Sequence, residues 1–234
     1  MAFQFKQFNI EDEASTMKVG TDAILLGSWV NTDNCRSILE IGTGSGVIAL
    51  MLAQKTKAKI TAIDIDSNSI SQAEKNFSNS KWTEQIIAQN ISFQDFIKSS
   101  GKTFDLIVSN PPFFNNLLKS PKVKRNLAKH NDNLSYKDLI WGAMKILSEN
   151  GSFYTIFPYS EGQVFREKAE SNNLFCTKTL LIKPNIKKPV NRILFQFQFK
   201  KPAKIIENKI TIRNENNTFS EEFVDLTKDY YLDF

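Results

Sequence analysis

SILEIGTGSGVIALMLAQ, residues 37–54, is the stretch whose reading decides the architecture. SILEIG (37–42) is a β-branched and leucine run closed by glycine, the pattern of a buried strand, and VIALMLA (47–53) is apolar on every side, the pattern of a buried helix. Between them Gly42, Gly44 and Gly46 alternate with small polar residues. A glycine turn from strand to helix lets the backbone bend sharply and lets a ligand approach the main chain. The same alternation of strand and helix continues outward. KITAID (59–64) reads as the next strand, and Ile70, Ala73 and Phe77 then fall at i, i+3 and i+7 on a helix face. ISF (91–93) reads as a short strand and FDLIVS (104–109) as a clear one. Leu139, Ile140, Ala143, Met144 and Leu147 repeat on a helix expected to stop at Asn150-Gly151. SFYTIF (152–157) is a strand, and Ser160 with Gln163 fits a capping box for the helix after it. TKTLLIK (177–183) and RILFQFQF (192–199) suggest a final antiparallel pair. The expected fold is α/β: a mostly parallel, Rossmann-like sheet with an antiparallel edge and helices on both faces.

The chain has 234 residues, enough for one generous domain with a core that needs no disulfide staples. Residues 1–30 and 203–234 read as appendages packed on that domain. In the tail Ser220 is the expected N-cap, Glu221 and Glu222 stand in the first turn, and Phe223, Leu226 and Tyr230 share a docking face. Hydrophobic residues at 41% and charged residues at 24% fit a folded, soluble protein. No apolar run approaches the roughly 18 residues of a membrane span, and the start lacks the basic and apolar regions of a secretion signal. A cytoplasmic protein with no membrane contact is expected. Cys35 and Cys176 make no disulfide framework, and one histidine, His130, argues against a histidine-based metal centre. Most of the 19 phenylalanines are expected in the core. No feature asks for an obligate protein partner.

The chemistry of the glycine turn depends on Glu40. A dinucleotide site wants G-x-G-x-x-G, but counting from Gly42 the third position is Val47, and Glu40 would repel a pyrophosphate. A dehydrogenase is therefore disfavoured. A cationic ligand reverses the sign: S-adenosylmethionine carries a sulfonium and an ammonium and no phosphate. Asp64, at the end of the second strand, stands about 20 residues on, where an acid meets a ribose diol. Helix capping is the plainer role for an acid there, and Asp66 or Ser67 serves it better. Asp95 in SFQDF could accept from the adenine amine, or be a solvated loop acid. SNPPFF (109–114) then interrupts a strand with residues that cannot continue its ladder, because proline has no N–H to give. Asn110 offers a side-chain acceptor, Pro111 a main-chain carbonyl, Pro112 rigidity, and Phe113 or Phe114 a flat apolar face. Such a set grips a planar amino group, either adenine N6 or a carboxamide.

The glycine loop, the acids and NPPF together resemble the class I methyltransferases that modify exocyclic or amide nitrogens. FQFKQF near the start, MKVGTDAILLGSW (17–29), EIGTGSGVIALMLAQ (40–54), AIDID (62–66), NFSNSKW (76–82), DLIVSNPPFF (105–114), AKHNDNLSYKDL (128–139) and YYLDF (230–234) narrow the match. Over nearly its whole length the chain is similar to the bacterial tRNA(Val) adenine-N6-methyltransferase family, which acts on adenine 37 of the anticodon loop. The resemblance implies that Asn110, Pro111, Pro112 and Phe113 form the catalytic motif. It places Glu40, Gly42, Gly44, Gly46, Asp64, Asp95 and Asn110 around S-adenosylmethionine. If residues 17–29 fold over the cofactor, as the resemblance implies, Lys18, Thr21 or Asp22 could line its methionine end; as a bare cap, Thr21 or Asp22 would be structural.

Thirty basic against 25 acidic side chains leave +5, so the distribution of charge matters more than its sum. Lys119, Lys122, Lys124, Arg125 and Lys129 form an acid-free run after the NPPF motif. Lys183, Lys187, Lys188, Arg192, Lys200, Lys201 and Lys204 form a second. Such runs are often solvated surface, but a phosphate backbone needs these side chains to release its counterions, so tRNA is the expected partner. Lys122, Lys124, Arg125, Lys187, Lys188 and Arg192 are the expected RNA contacts. Other acceptors stay open on the motif alone: a protein glutamine, an rRNA base or a DNA adenine. An inactive RNA-binding relative would show a damaged glycine loop or a lost Asn110, and neither is seen.

Overall fold

The computed structural model describes residues 2–15, 18–112 and 134–233. A two-stranded antiparallel ribbon, β1 (Phe3–Gln4) and β2 (Asn9–Ile10), precedes α1 (Thr21–Trp29). The alternating core follows: β3 (Ser37–Ile41), α2 (Val47–Lys55), β4 (Lys59–Asp64), α3 (Ser67–Ser78), β5 (Ile86–Asn90), α4 (Phe93–Ser99) and β6 (Phe104–Ser109). Beyond residue 134 come α5 (Tyr136–Ile146), β7 (Leu147–Pro158), α6 (Tyr159–Ser171), β8 (Phe175–Asn185), β9 (Arg192–Gln198), β10 (Ile206–Arg213) and α7 (Glu221–Thr227).

The main sheet has eight strands in the order β10-β8-β9-β7-β6-β3-β4-β5. β5, β4, β3, β6 and β7 run parallel, β9 runs against β7 and β8, and β10 lies parallel to β8. The chain leaves β3 toward β4 and β5 and returns on the other side as β6, so the order reverses at β3 and β6. Open α/β sheets bind ligands at the carboxyl ends of the strands at such a reversal.

Alternating side chains divide the core between the two faces. Ile38, Leu106 and Ile156 pack toward α1, α2, α3 and α7, whereas Leu39, Ile107 and Phe157 pack toward α4, α5 and α6. The phenylalanine excess is largely resolved on the second face. Phe153, Phe157, Phe165 and Phe197 interlock with ring centroids 4.6–6.3 Å apart, a geometry worth about 0.5–1.5 kcal/mol per pair beyond burial. Phe223 and Tyr230 are buried as the tail's periodicity predicts, and Ser220 accepts the Phe223 N–H as its N-cap.

Several local expectations are corrected. The third strand is Ile86–Asn90, while Ser92 is an N-cap whose hydroxyl accepts the Asp95 N–H, which puts Phe93 at the start of a helix. The helix of Leu139 ends at Ile146. Leu147 is already extended, and Asn150-Gly151 sits in a register shift at the start of β7. Ser160 and Gln163 form no capping box: Pro158 is the N-cap of α6 and no side chain caps it. Gly20, rather than Thr21 or Asp22, is the N-cap of α1. The tail also supplies β10, an edge strand whose mixed IENKITIR pattern hid it.

Candidate active site

The glycine turn sits where the strand order reverses. Its start is pinned to β4, since the N–H groups of Gly42 and Thr43 both donate to the Ile63 carbonyl (2.9 and 3.0 Å). Gly46 has φ +85°, and a Cβ there would lie 2.4 Å from the Phe77 ring, so no larger residue fits without displacing α3. Asp64, at the carboxyl end of β4, accepts the Gly44 N–H at 2.9 Å through one oxygen and the Asp66 N–H at 2.9 Å through the other. Burial raises the Asp64 pKa, and those two N–H groups oppose the rise. Asp66, as expected, caps α3 through Ser69.

Glu40 is the most unusual group here. It is 1% exposed, and Thr43 Oγ1 donates to Oε2 at 2.7 Å, while Oε1 is buried with no hydrogen bond. Burial lifts its pKa to about 8; the Thr43 hydroxyl and the Ala49 backbone N–H pull it down, and the nearby Asp64 charge adds to the rise. A buried carboxylate with a spare oxygen fits a ligand that brings a cationic or polar donor and is wrong for a phosphate.

Across the reversal, β6 ends beside β3: Ile41 pairs with Ser109, whose hydroxyl donates to the Ile41 carbonyl at 3.0 Å. The next residue, Asn110, is half-buried, and its Oδ1 is buried with no hydrogen bond among the described residues. Pro111 is buried and Pro112 exposed. Adjacent strands thus each bring a buried, unsatisfied acceptor to the same end of the sheet, and each such acceptor costs about 1–3 kcal/mol until a donor arrives. Phe113, Lys122, Lys124 and Arg125 lie outside the described residues.

A feature that no spacing rule signalled fastens the N-terminal segment over this loop. Asn76, 2% exposed on α3, accepts the Glu11 N–H (3.0 Å) and donates to the carbonyls of Glu11 (2.7 Å) and Ser45 (2.8 Å). One turn earlier Gln72 accepts the Ala14 N–H at 3.3 Å. Ser15 stands so near Gly44 that a Cβ there would lie 3.4 Å from its hydroxyl. NFSNSKW contributes Asn76, the Phe77 ring against Gly46, and Trp82, edge-on to Phe8 at 5.9 Å.

The other expected residues fall at differing distances from this centre. Lys18 is exposed and donates to the carbonyls of Asp12 and Glu13, and Thr21 is the exposed first residue of α1. Asp95 stands in the first turn of α4, beyond the end of β5, with its oxygens engaged by Ser92 (2.8 Å) and Lys98 (2.9 Å). The Lys98 ammonium holds the Asp95 pKa low. Arg192, expected on RNA, makes an internal tie: its Nε lies 2.9 Å from Asp22 on α1. Lys187 and Lys188 are exposed in the β8–β9 turn, where Asn185 Oδ1 holds their backbone N–H groups. Among the described residues no cluster of His, Cys, Asp or Glu could hold a metal, and no helix is long and apolar enough to cross a membrane.

Seven strands in one direction with one reversed third from the edge, a glycine turn after the central strand, and acids at and beyond the next strand ends define a class I, S-adenosylmethionine-dependent methyltransferase. Solved structures support the fold. A predicted O-methyltransferase from Agrobacterium tumefaciens superposes with a TM-score of 0.69 at 17% identity, over 89% of this chain and 96% of that one. The ribosomal protein L11 methylase of Lactobacillus delbrueckii gives 0.55 at 20%, over 77% of each. Residues 14–161 match the family model "Methyltransferase small domain". The protein named tRNA1(Val) (adenine(37)-N6)-methyltransferase in Trichodesmium erythraeum is 45% identical, over 99% of this chain and 98% of that protein. Its namesake in Haemophilus influenzae is 38% identical, over 99% of each. The chain belongs to the methyltransferase small domain family and, within it, to the tRNA1(Val) (adenine(37)-N6)-methyltransferases.

Proposed function

We propose that this chain methylates the exocyclic N6 of adenine 37 in the anticodon loop of tRNA(Val), with S-adenosylmethionine as donor. Bound at the glycine turn, that cofactor supplies a sulfonium-activated methyl group. Glu40 takes a donor from its methionine end, Gly42, Gly44 and Gly46 let it lie against the backbone, and Asp64 accepts from the ribose. Asp95 accepts from the cofactor's adenine, and Lys18 and Thr21 line the entrance. The buried, unsatisfied Asn110 Oδ1 at the end of β6 is the observation that carries the reading.

The target amine is a weak nucleophile because its lone pair delocalises into the ring. Positioning therefore does most of what a strong base would do elsewhere. Asn110 Oδ1 and the Pro111 carbonyl accept hydrogen bonds from the two N6–H groups and turn the lone pair toward the methyl donor; one N6 proton is lost to solvent once the nitrogen carries the methyl group. Pro112 stiffens the loop and Phe113 stacks on the base. An anticodon-loop adenine is already outside a duplex, so unstacking it costs less than flipping a paired base. Lys122, Lys124, Arg125, Lys187 and Lys188 hold phosphates around it; Arg192 supports the same rim through Asp22. The protein works on tRNA in the cytoplasm.

Asn110→Ala tests this directly. Methyl transfer should fall by about 10²-fold or more, the usual loss of a positioned polar group at a reacting centre, while S-adenosylmethionine affinity by calorimetry changes only a few-fold. Turnover near wild type would make Asn110 a turn residue.

A further inference from the structure

The second basic run does not form one surface. β9 pairs with β7 through Pro158↔Arg192 at one end and Phe153↔Phe197 at the other, and β7 pairs with β6 through Ser109↔Thr155. Arg192, Lys187 and Lys188 therefore stand at the active-site end of the sheet. Lys200, Lys201 and Lys204, which follow Gln198, stand at the far end, about 20 Å away at roughly 3.4 Å per strand residue.

At that far end a groove of about 400 Å³ opens where β8 begins and β9 leaves the sheet. Lys178, Lys200, Lys201 and Lys204 line it with Thr177 and Gln198, and no carboxylate does. Four other described lysines are ion-paired: Lys18 with Asp12, Lys75 with Glu11, Lys98 with Asp95 and Lys228 with Asp225. Among the described residues the four groove lysines have no such partner, and Lys201 lies over the Phe175 ring at 5.8 Å. A groove lined by four lysines and no carboxylate complements a polyanion, which sheds its counterions when its phosphates are neutralised there.

We propose that this groove is a second RNA surface, which takes the sugar–phosphate backbone of the tRNA outside its anticodon loop. The proposal rests on the tRNA reading above. The distance supplies the rest: a nucleotide whose base occupies the Asn110 site cannot also reach a groove about 20 Å away, so the contact there falls on the stem or body. The active-site end then selects the base, and the far end grips the rest of the molecule without reading sequence.

The test compares full-length tRNA(Val) with its isolated anticodon stem-loop, using the intact chain and the triple change Lys200→Ala, Lys201→Ala, Lys204→Ala. The wild type should bind the full tRNA more tightly than the stem-loop. The triple variant should lose that advantage, about tenfold or more, with the magnitude of its salt slope reduced by roughly 2 to 3, the counterions of three phosphate contacts. Its affinity for the stem-loop and for S-adenosylmethionine should stay within about twofold. Replacing the same lysines with arginine should restore binding. Equal wild-type affinity for the two RNAs, or a triple variant unchanged on full tRNA or weakened equally on both, would overturn the groove. A wild type that binds tRNA through these lysines but forms no methyladenine would overturn the reaction and leave the groove standing.

Discussion

At the scale of single residues, two of the eight polar atoms that the described chain buries without a hydrogen bond, Glu40 Oε1 and Asn110 Oδ1, stand where the strand order reverses. Each destabilises the ligand-free protein until a donor reaches it. For Glu40 the consequence can be read against pH. Its folded pKa is raised to about 8 against an ordinary 4.5, because burial disfavours the carboxylate. The folded state therefore binds the proton more tightly than the unfolded chain. The resulting stability is full below about pH 4.5 and is lost as pH rises through about 8, on the order of a few kcal/mol across that span. Between pH 5 and 7.5 the melting temperature of the ligand-free wild type should fall more steeply than that of Glu40→Gln. S-adenosylmethionine, whose positive charge favours the carboxylate, should flatten the wild-type decline. Parallel curves with and without ligand would show that Glu40 does not meet the cofactor. Both residues were legible in the sequence, Glu40 by the sign of its charge beside a glycine loop and Asn110 by a proline pair that stops a strand. Their unsatisfied oxygens were not, because hydrogen-bond balance depends on three-dimensional neighbours.

At the scale of elements, the least legible part of the site is the fastening of residues 11–15 to α3. Asn76 makes three hydrogen bonds to two separate backbone segments, one in the N-terminal strap and one in the glycine turn. Nothing in periodicity distinguishes an asparagine at that position from any polar residue on a helix. Only the resemblance drew attention to NFSNSKW. We expect Asn76→Ala to raise KM for S-adenosylmethionine and weaken its equilibrium binding about tenfold, with kcat and the KM for tRNA little changed. It should also speed amide exchange at residues 11–15. A variant that loses stability but keeps cofactor affinity would reduce Asn76 to a packing residue. Strand and helix existence was clear wherever apolar period was strong, as in β3, β4, β6 and α2. The errors have local causes. Ile86–Asn90 is an outer strand with a mostly exposed face, Asn150-Gly151 marks a register shift in place of a helix end, and the polar face of β10 hid its pairing with β8.

At the scale of the whole molecule, the reversal of strand order between β3 and β6 gathers the glycine turn, the acids and the NPP loop at one end of the sheet. The same topology carries Lys200, Lys201 and Lys204 to the opposite end. Sequence adjacency suggested one basic surface from 183 to 204, but a strand running the length of the sheet separates its halves, and only pairing register reveals that. Within the active-site half, the Asp22–Arg192 pair ties α1 to the start of β9. The reaction itself concerns one atom of one nucleotide. Purified chain should be incubated with labelled S-adenosylmethionine and unmodified tRNA(Val), and the product digested to nucleosides and mapped. Label confined to N6-methyladenosine at position 37, and absent when that adenine is replaced by guanine, is the predicted result. Label on another nucleotide, on another atom of adenine, or on protein in preference to tRNA would contradict it.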